Sequence, residues 1–179
     1  MLIFNLPNLF TLARLLLAPF IAYDILHSHY GRAIVLLFAA GFTDVIDGFL
    51  ARRLQISTRA GAYFDPIADK ILLSVIYVSL GLAGVMPWWM VAVVFGRDVL
   101  ILAMAGYGLL FTSLRKFPPS VWGKISTFLQ IAAALVVMGS RAGIPAPVTL
   151  ALSLMIVGTV ISGLHYAWRG MGLLRKTSH

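Results

Sequence analysis

Six apolar runs of about twenty residues, parted by turns of a few residues, fill most of this chain. They fall at roughly 8–27, 32–54, 61–84, 87–112, 120–140 and 146–168, each close to the ~20 residues a helix needs to cross a bilayer. The turns read "HSHYGR", "RRLQISTR", "GVMP", "SLRKFPPS" and "SRAGIPAP", and none can hold a soluble domain. Only 11% of the 179 residues are charged and 60% are hydrophobic, whereas a soluble domain carries roughly a quarter charged residues. Such a chain cannot cover its own surface with polar groups, so lipid has to be its solvent. The expected architecture is an all-α integral membrane protein: six transmembrane helices, short loops, and a single domain over residues 1–179.

The first run lacks a basic leader, its first cation being Arg14, so it reads as a retained helix rather than a cleaved signal. There is no cysteine, which excludes disulfides and thiolate metal sites. A net charge of +8 raises the question of nucleic acid. The cations cluster at the ends of apolar runs, however, and no run resembles a nucleic-acid module, so no nucleic-acid partner is expected. One side of the membrane collects Arg14, Arg52, Arg53, Arg59, Arg115, Lys116, Lys124, Arg169, Arg175 and Lys176; the other has Arg32 and Arg141. The positive-inside rule then places both termini in the cytoplasm, in a multi-pass protein of a bacterial inner membrane.

Against this background the negative charge is unevenly placed. There are six acidic residues, all aspartates, and four of them fall between Asp44 and Asp69. Asp44 and Asp47 stand at i, i+3 near the end of the second run; Asp65 and Asp69 stand at i, i+4 near the start of the third. At 100° per residue each pair shares one helix face. A hairpin of the two helices can turn four carboxylates towards one another, with Gly48, Ala51 and Gly61 clearing space beside them. An ionised carboxylate inside a membrane costs roughly 2.5–3.5 kcal/mol before mutual repulsion. Helix capping, or pairing with Arg52, Arg53, Arg59 and Lys70, accounts for part of the pattern but not for two converging acidic faces. Divalent cations account for all of it, and an all-oxygen donor set favours a hard ion, Mg2+ or Mn2+.

Written out, the stretch is Asp44-x2-Asp47-Gly48-x2-Ala51-Arg52-x8-Gly61-x3-Asp65-x3-Asp69. It resembles the signature of the CDP-alcohol phosphatidyltransferase family at all eight fixed positions and every gap, and the six-helix layout extends the likeness over the chain. The resemblance implies transfer of a phosphatidyl group from CDP-diacylglycerol to an alcohol, with release of CMP. It implies Asp44, Asp47 and Asp65 as ligands of a pair of ions, and Asp69 as a shared ligand and general base. Gly48 and Ala51 would let the nucleotide approach, Arg52 would hold its diphosphate, and Gly61 would give clearance on the third helix. "LPNLFTLAR" is similar to the family's opening, placing Asn8, Thr11 and Arg14 near the nucleotide; a helix cap and a snorkelling arginine are the plainer alternative. Homodimers are common in the family.

The acceptor is less legible. "GRDVLI" puts Arg97 and Asp98 within the fourth run, and "LRKFPPSVWGKISTFLQI" supplies Arg115, Lys116, Lys124 and Gln130. These stretches look like the branch that makes phosphatidylglycerol-phosphate or cardiolipin, whose acceptors are glycerol-type alcohols carrying phosphate. Arg97, Arg115 and Lys124 are accordingly the acceptor-binding candidates; positive-inside anchoring is the plainer role for Arg115 and Lys116, which leaves Lys124 and Gln130 as the better contacts with acceptor. Inositol phosphate or serine would suit the same chemistry. His27 and His29 read as a solvated outer turn, His165 as within reach of the pocket, and Trp88, Trp89, Trp122 and Trp168 as interfacial anchors. A small ion-coupled transporter is the competing class. The acids sit near one leaflet rather than at the midplane, and the chain has no matched second half. A non-catalytic scaffold would have no use for a four-acid pocket.

Overall fold

The computed structural model describes the backbone of residues 6–54, 59–111 and 120–177, and the side chains of residues 13–42, 70–104 and 120–169. All regular structure among them is helical: α1 Leu6–Leu26, α2 Tyr30–Leu54, α3 Arg59–Leu82, α4 Trp88–Phe111, α5 Val121–Arg141 and α6 Val148–Thr177. Each matches one apolar run to within a few residues, except that α6 continues well beyond the end its hydropathy predicts. Val121–Arg141 and Val148–Arg169 are long and apolar enough throughout to cross a membrane; Tyr30–Phe42 and Lys70–Leu82 are shorter apolar pieces of α2 and α3.

The chain divides into two compact units. The first comprises Met1–Met86 with Val137–Ala146, and in it α1 packs against both α2 and α3. Its core comes from stripes at helical spacing: Arg14, Ala18, Ile21 and Ile25 on α1; Tyr30, Ala33, Leu37 and Ala40 on α2; Leu73, Ile76, Tyr77 and Leu80 on α3. Alanine at two of the four α2 positions lets helix backbones approach closely. The second unit comprises Pro87–Val136 with Pro147–His179, and here α4 packs against α6. Its buried stripes carry more polar groups: Val91, Val94 and Arg97 on α4, and Met155, Thr159, Ser162 and Tyr166 on α6.

The outward faces hold Leu16, Phe20, Phe38, Phe42, Phe128 and Leu164, each more than half exposed. A soluble protein scatters such side chains singly; whole apolar faces on several helices mark a surface meant for lipid. The four tryptophans expected at interfaces are all exposed.

Helices α1, α3 and α5 end in the same way. In each, the residue after the last helical turn adopts a left-handed conformation, and two amides bond back to carbonyls of the final turn. Gly84 (φ 68°) and Gly143 (φ 90°) do this without a Cβ penalty; their amides reach Gly81 and Ser140 at 3.1 and 3.2 Å. The third case is Ser28, at φ 61°, whose amide donates to Ile25 O at 3.1 Å while His29 N donates to Asp24 O at 2.7 Å. A side chain in this region costs on the order of 1 kcal/mol. Ser28→Gly is therefore expected to stabilise the protein by about 0.5–1 kcal/mol in a denaturant titration in detergent; an unchanged or lower midpoint would contradict this.

The same turn holds a charge that hydropathy does not explain. Asp24 is only 1% exposed, and neither carboxylate oxygen has a hydrogen-bond partner among the described residues. Arg32 Nη2 stands 3.5 Å and His29 Nδ1 3.6 Å from Asp24 Oδ1. The turn between α1 and α2 is therefore tied to α1 by charge. His27 stacks on Tyr23 at 4.0 Å between ring centroids. His27 and His29 are both exposed, as expected of a solvated turn.

Candidate active site

The eight-residue motif lies on two helices of the first unit. Asp44, Asp47, Gly48, Ala51 and Arg52 are in α2, and Gly61, Asp65 and Asp69 are in α3. Helix α2 is unbroken from Asp44 to Leu54 and α3 from Arg59 past Asp69, so the spacing within each pair translates into helix geometry. Asp44 and Asp47 are about 60° apart around the axis and about 4.5 Å along it; Asp65 and Asp69 are about 40° and 6 Å apart. Asn8 and Thr11 are in α1, the helix that packs on both. The side chains of these ten residues lie outside the described set. By residue type, four carboxylates and no thiol are donors of the kind that suits a hard divalent cation and not a soft one.

Arg14 is described, and it is buried to 2% exposure on the stripe of α1 that faces its neighbours. It is not a cation reaching outward from a helix end. Of the sequence candidates for the nucleotide side, it is the one whose placement the structure gives.

The acceptor candidates belong to the second unit. Arg97 is 6% exposed, and its donors are largely engaged. Nη1 donates to Asp98 Oδ1 at 2.6 Å, Nε and Nη2 donate to Ser162 Oγ at 3.2 and 3.1 Å, and Nη2 also donates to Gly123 O at 3.1 Å. Arg97 and Asp98 are thus paired with each other, and α4 is tied to α5 and α6 through one guanidinium. Lys124 is exposed on the first turn of α5, while Arg115 lies outside the described residues. Gln130 is fully buried and donates to Ser126 Oγ at 3.5 Å and Thr159 Oγ1 at 3.3 Å. It belongs to a polar seam between α5 and α6 instead of an open surface. His165 is half-buried and meets the Tyr166 ring edge-on at 6.1 Å.

Sequence reasoning overlooked Tyr166, Ser120, Ser126, Thr159 and Ser162. All five are buried, and all take part in hydrogen bonds between elements of the second unit. A usable signal existed: on α6, Thr159, Ser162 and Tyr166 recur at i, i+3 and i+7, a polar stripe within a mainly apolar stretch.

The described residues are helical and carry two aspartate pairs, on α2 and α3, and relatives give the class of lipid-headgroup enzyme to which such a chain belongs. The profile of CDP-alcohol phosphatidyltransferase matches residues 4–164. A probable phosphatidylglycerophosphate synthase of Mycobacterium tuberculosis is 33% identical over 188 residues, covering 97% of this chain and 87% of that protein. A CDP-diacylglycerol–glycerol-3-phosphate 3-phosphatidyltransferase of Aquifex aeolicus is 36% identical over 142 residues, 75% of each chain. A cardiolipin synthase (CMP-forming)/mitochondrial hydrolase fusion protein of Schizosaccharomyces pombe is 40% identical over 105 residues, 59% of this chain but 18% of that longer protein. The chain belongs to the CDP-alcohol phosphatidyltransferase family.

Proposed function

We propose that this chain transfers the phosphatidyl group of CDP-diacylglycerol to a glycerol-type alcohol and releases CMP. Glycerol-3-phosphate as acceptor gives phosphatidylglycerol-phosphate; phosphatidylglycerol as acceptor gives cardiolipin. The observation that carries the reading is the intact eight-residue motif on two continuous helices of one unit. The relatives' names point to the same two acceptors.

Phosphoryl transfer needs charge neutralisation and in-line positioning more than covalent help. Asp44, Asp47, Asp65 and Asp69 would hold two divalent ions, Mg2+ or Mn2+, which supply neutralisation of the diphosphate and of the charge developing on the oxygens. Asp69 takes the proton of the acceptor hydroxyl. That oxygen forms a bond to the phosphorus bearing the diacylglycerol, and the bond to the bridging oxygen breaks, so CMP leaves. Arg52 holds the diphosphate by charge-assisted hydrogen bonds, and Asn8, Thr11, Gly48, Ala51 and Gly61 shape the nucleotide side. Lys124 and Arg115 attract the acceptor's phosphate. In this reading the six helices all span a bacterial inner membrane, both termini and the site face the cytoplasm, one catalytic domain covers residues 1–179, and the working assembly is a homodimer.

The test is CMP release from CDP-diacylglycerol by purified protein, with glycerol-3-phosphate, phosphatidylglycerol, inositol phosphate and serine supplied separately in the presence of Mg2+. Release with one of the first two is expected. Release with only inositol phosphate or serine reassigns the acceptor, and no release with any of the four refutes the proposal.

A further inference from the structure

The start of α5 is fastened from two sides. Ser120 caps it, its Oγ accepting from Gly123 N at 3.0 Å, the side-chain-to-third-amide bond of a helix N-cap. The amide of Ser120 in turn donates to Tyr166 Oη on α6 at 2.9 Å. The Gly123 carbonyl accepts from Arg97 Nη2 at 3.1 Å and from Thr127 Oγ1 at 3.1 Å. Ser120, Arg97 and Tyr166 are all buried. Gly123 is what lets them meet: a Cβ there would stand 3.0 Å from Tyr166 Oη and 3.3 Å from Arg97 Nη2. Four residues from three elements thus converge on one turn of backbone, and the next residue along it is the exposed Lys124.

A helix start in a membrane protein does not need this much to be satisfied. A serine cap alone supplies one of the orphan amides, and water reaches others at an interface. The buried guanidinium and phenol add rigidity at a defined place, and what that place carries outward is a cation. We infer that Tyr166 and Arg97 are positioning residues: they fix the first turn of α5 and thereby the point from which Lys124 meets the acceptor's phosphate. The inference rests on the proposed transfer reaction and on Lys124 as an acceptor contact. It assigns to Arg97 an indirect role, since its donors already serve Ser162, Gly123 and Asp98.

The measurement is the acceptor KM, with CDP-diacylglycerol saturating, for Tyr166→Phe, Arg97→Lys, Lys124→Ala and each of the first two combined with Lys124→Ala. Tyr166→Phe keeps the ring and removes the hydroxyl that Ser120 needs. It should raise the acceptor KM about 2–10-fold, the scale of one neutral hydrogen bond, with the KM for CDP-diacylglycerol unmoved. Arg97→Lys should raise it tenfold or more, because an ammonium cannot reproduce the fork. Neither should add to the effect of Lys124→Ala, because both act through that residue. A merely structural role lowers the active fraction and leaves KM alone. An unmoved acceptor KM in Tyr166→Phe, or an Arg97→Lys effect undiminished in the Lys124→Ala background, would overturn the inference; the latter would mean that Arg97 touches the acceptor itself.

Hydrogen exchange supplies a readout that needs no turnover. In Tyr166→Phe the amides of the segment 120–125 should exchange faster while those of α6 do not, and unchanged exchange there would also overturn the inference. Wild-type protein that releases no CMP with any acceptor would instead refute the transfer reaction, leaving the exchange result to judge the fastening by itself.

Discussion

Asp69→Asn should lower CMP release by about 10²–10⁴-fold, the range that general acid–base catalysis contributes. The substitution keeps size and shape and removes the ability to take a proton, so a loss of that order marks the base and not a packing defect. Because the same carboxylate is proposed to share an ion, the variant should also need more divalent metal for half-maximal rate. Asp69→Glu tests geometry: it restores the charge but moves it by one methylene, and it should recover only a small part of the rate, since near-attack placement is sensitive to about 1 Å. A loss below about tenfold in Asp69→Asn would exclude a base role for this residue.

Removal of divalent cations should have the larger effect still. Protein dialysed against a chelator is expected to release CMP at background level with every acceptor, and Mg2+ or Mn2+ should each restore turnover. The reason lies in the arrangement of charge. Four of the chain's six acids occupy 26 residues of an apolar sequence, and without cations their mutual repulsion adds to a desolvation cost of roughly 2.5–3.5 kcal/mol each. Turnover that persists at full rate in excess chelator would show that the aspartates are neutralised in some other way.

The helices were legible because a long apolar run has few solutions. Away from water, backbone polar groups are satisfied within a helix or between the strands of a closed sheet, and runs of about twenty residues have the length of helices, not of strands. Hydropathy marks the ends less well. It stops α6 near residue 168, whereas the helix runs to Thr177, through Arg169, Arg175 and Lys176, which end an apolar run without ending a helix. Gly84 and Gly143 announce their stops; Ser28 does not, since a serine with positive φ is uncommon.

The motif was legible for a different reason: its residue types recur at fixed spacing along the chain, and α2 and α3 preserve that spacing. Partners across helices leave no such trace. Nothing along the chain links Ser120 to Tyr166 or Ser126 to Thr159, yet the fold joins them. The same holds for Asp24, an isolated acid until α2 brings Arg32 to 3.5 Å. For the acceptor, the sequence shows cations but not their commitments, and the bonds of Arg97 to Ser162 and Gly123 come only with packing.

Whether Asp44, Asp47, Asp65 and Asp69 together hold divalent ions is decided by an electron paramagnetic resonance titration of Mn2+ into the purified protein, its Asp44→Asn variant and its Asp65→Asn variant. Two Mn2+ bound per chain and displaced by Mg2+, with binding weakened in each variant, is the predicted result. Free Mn2+ signal undiminished by the wild-type protein, or binding equally strong in all three proteins, would contradict it.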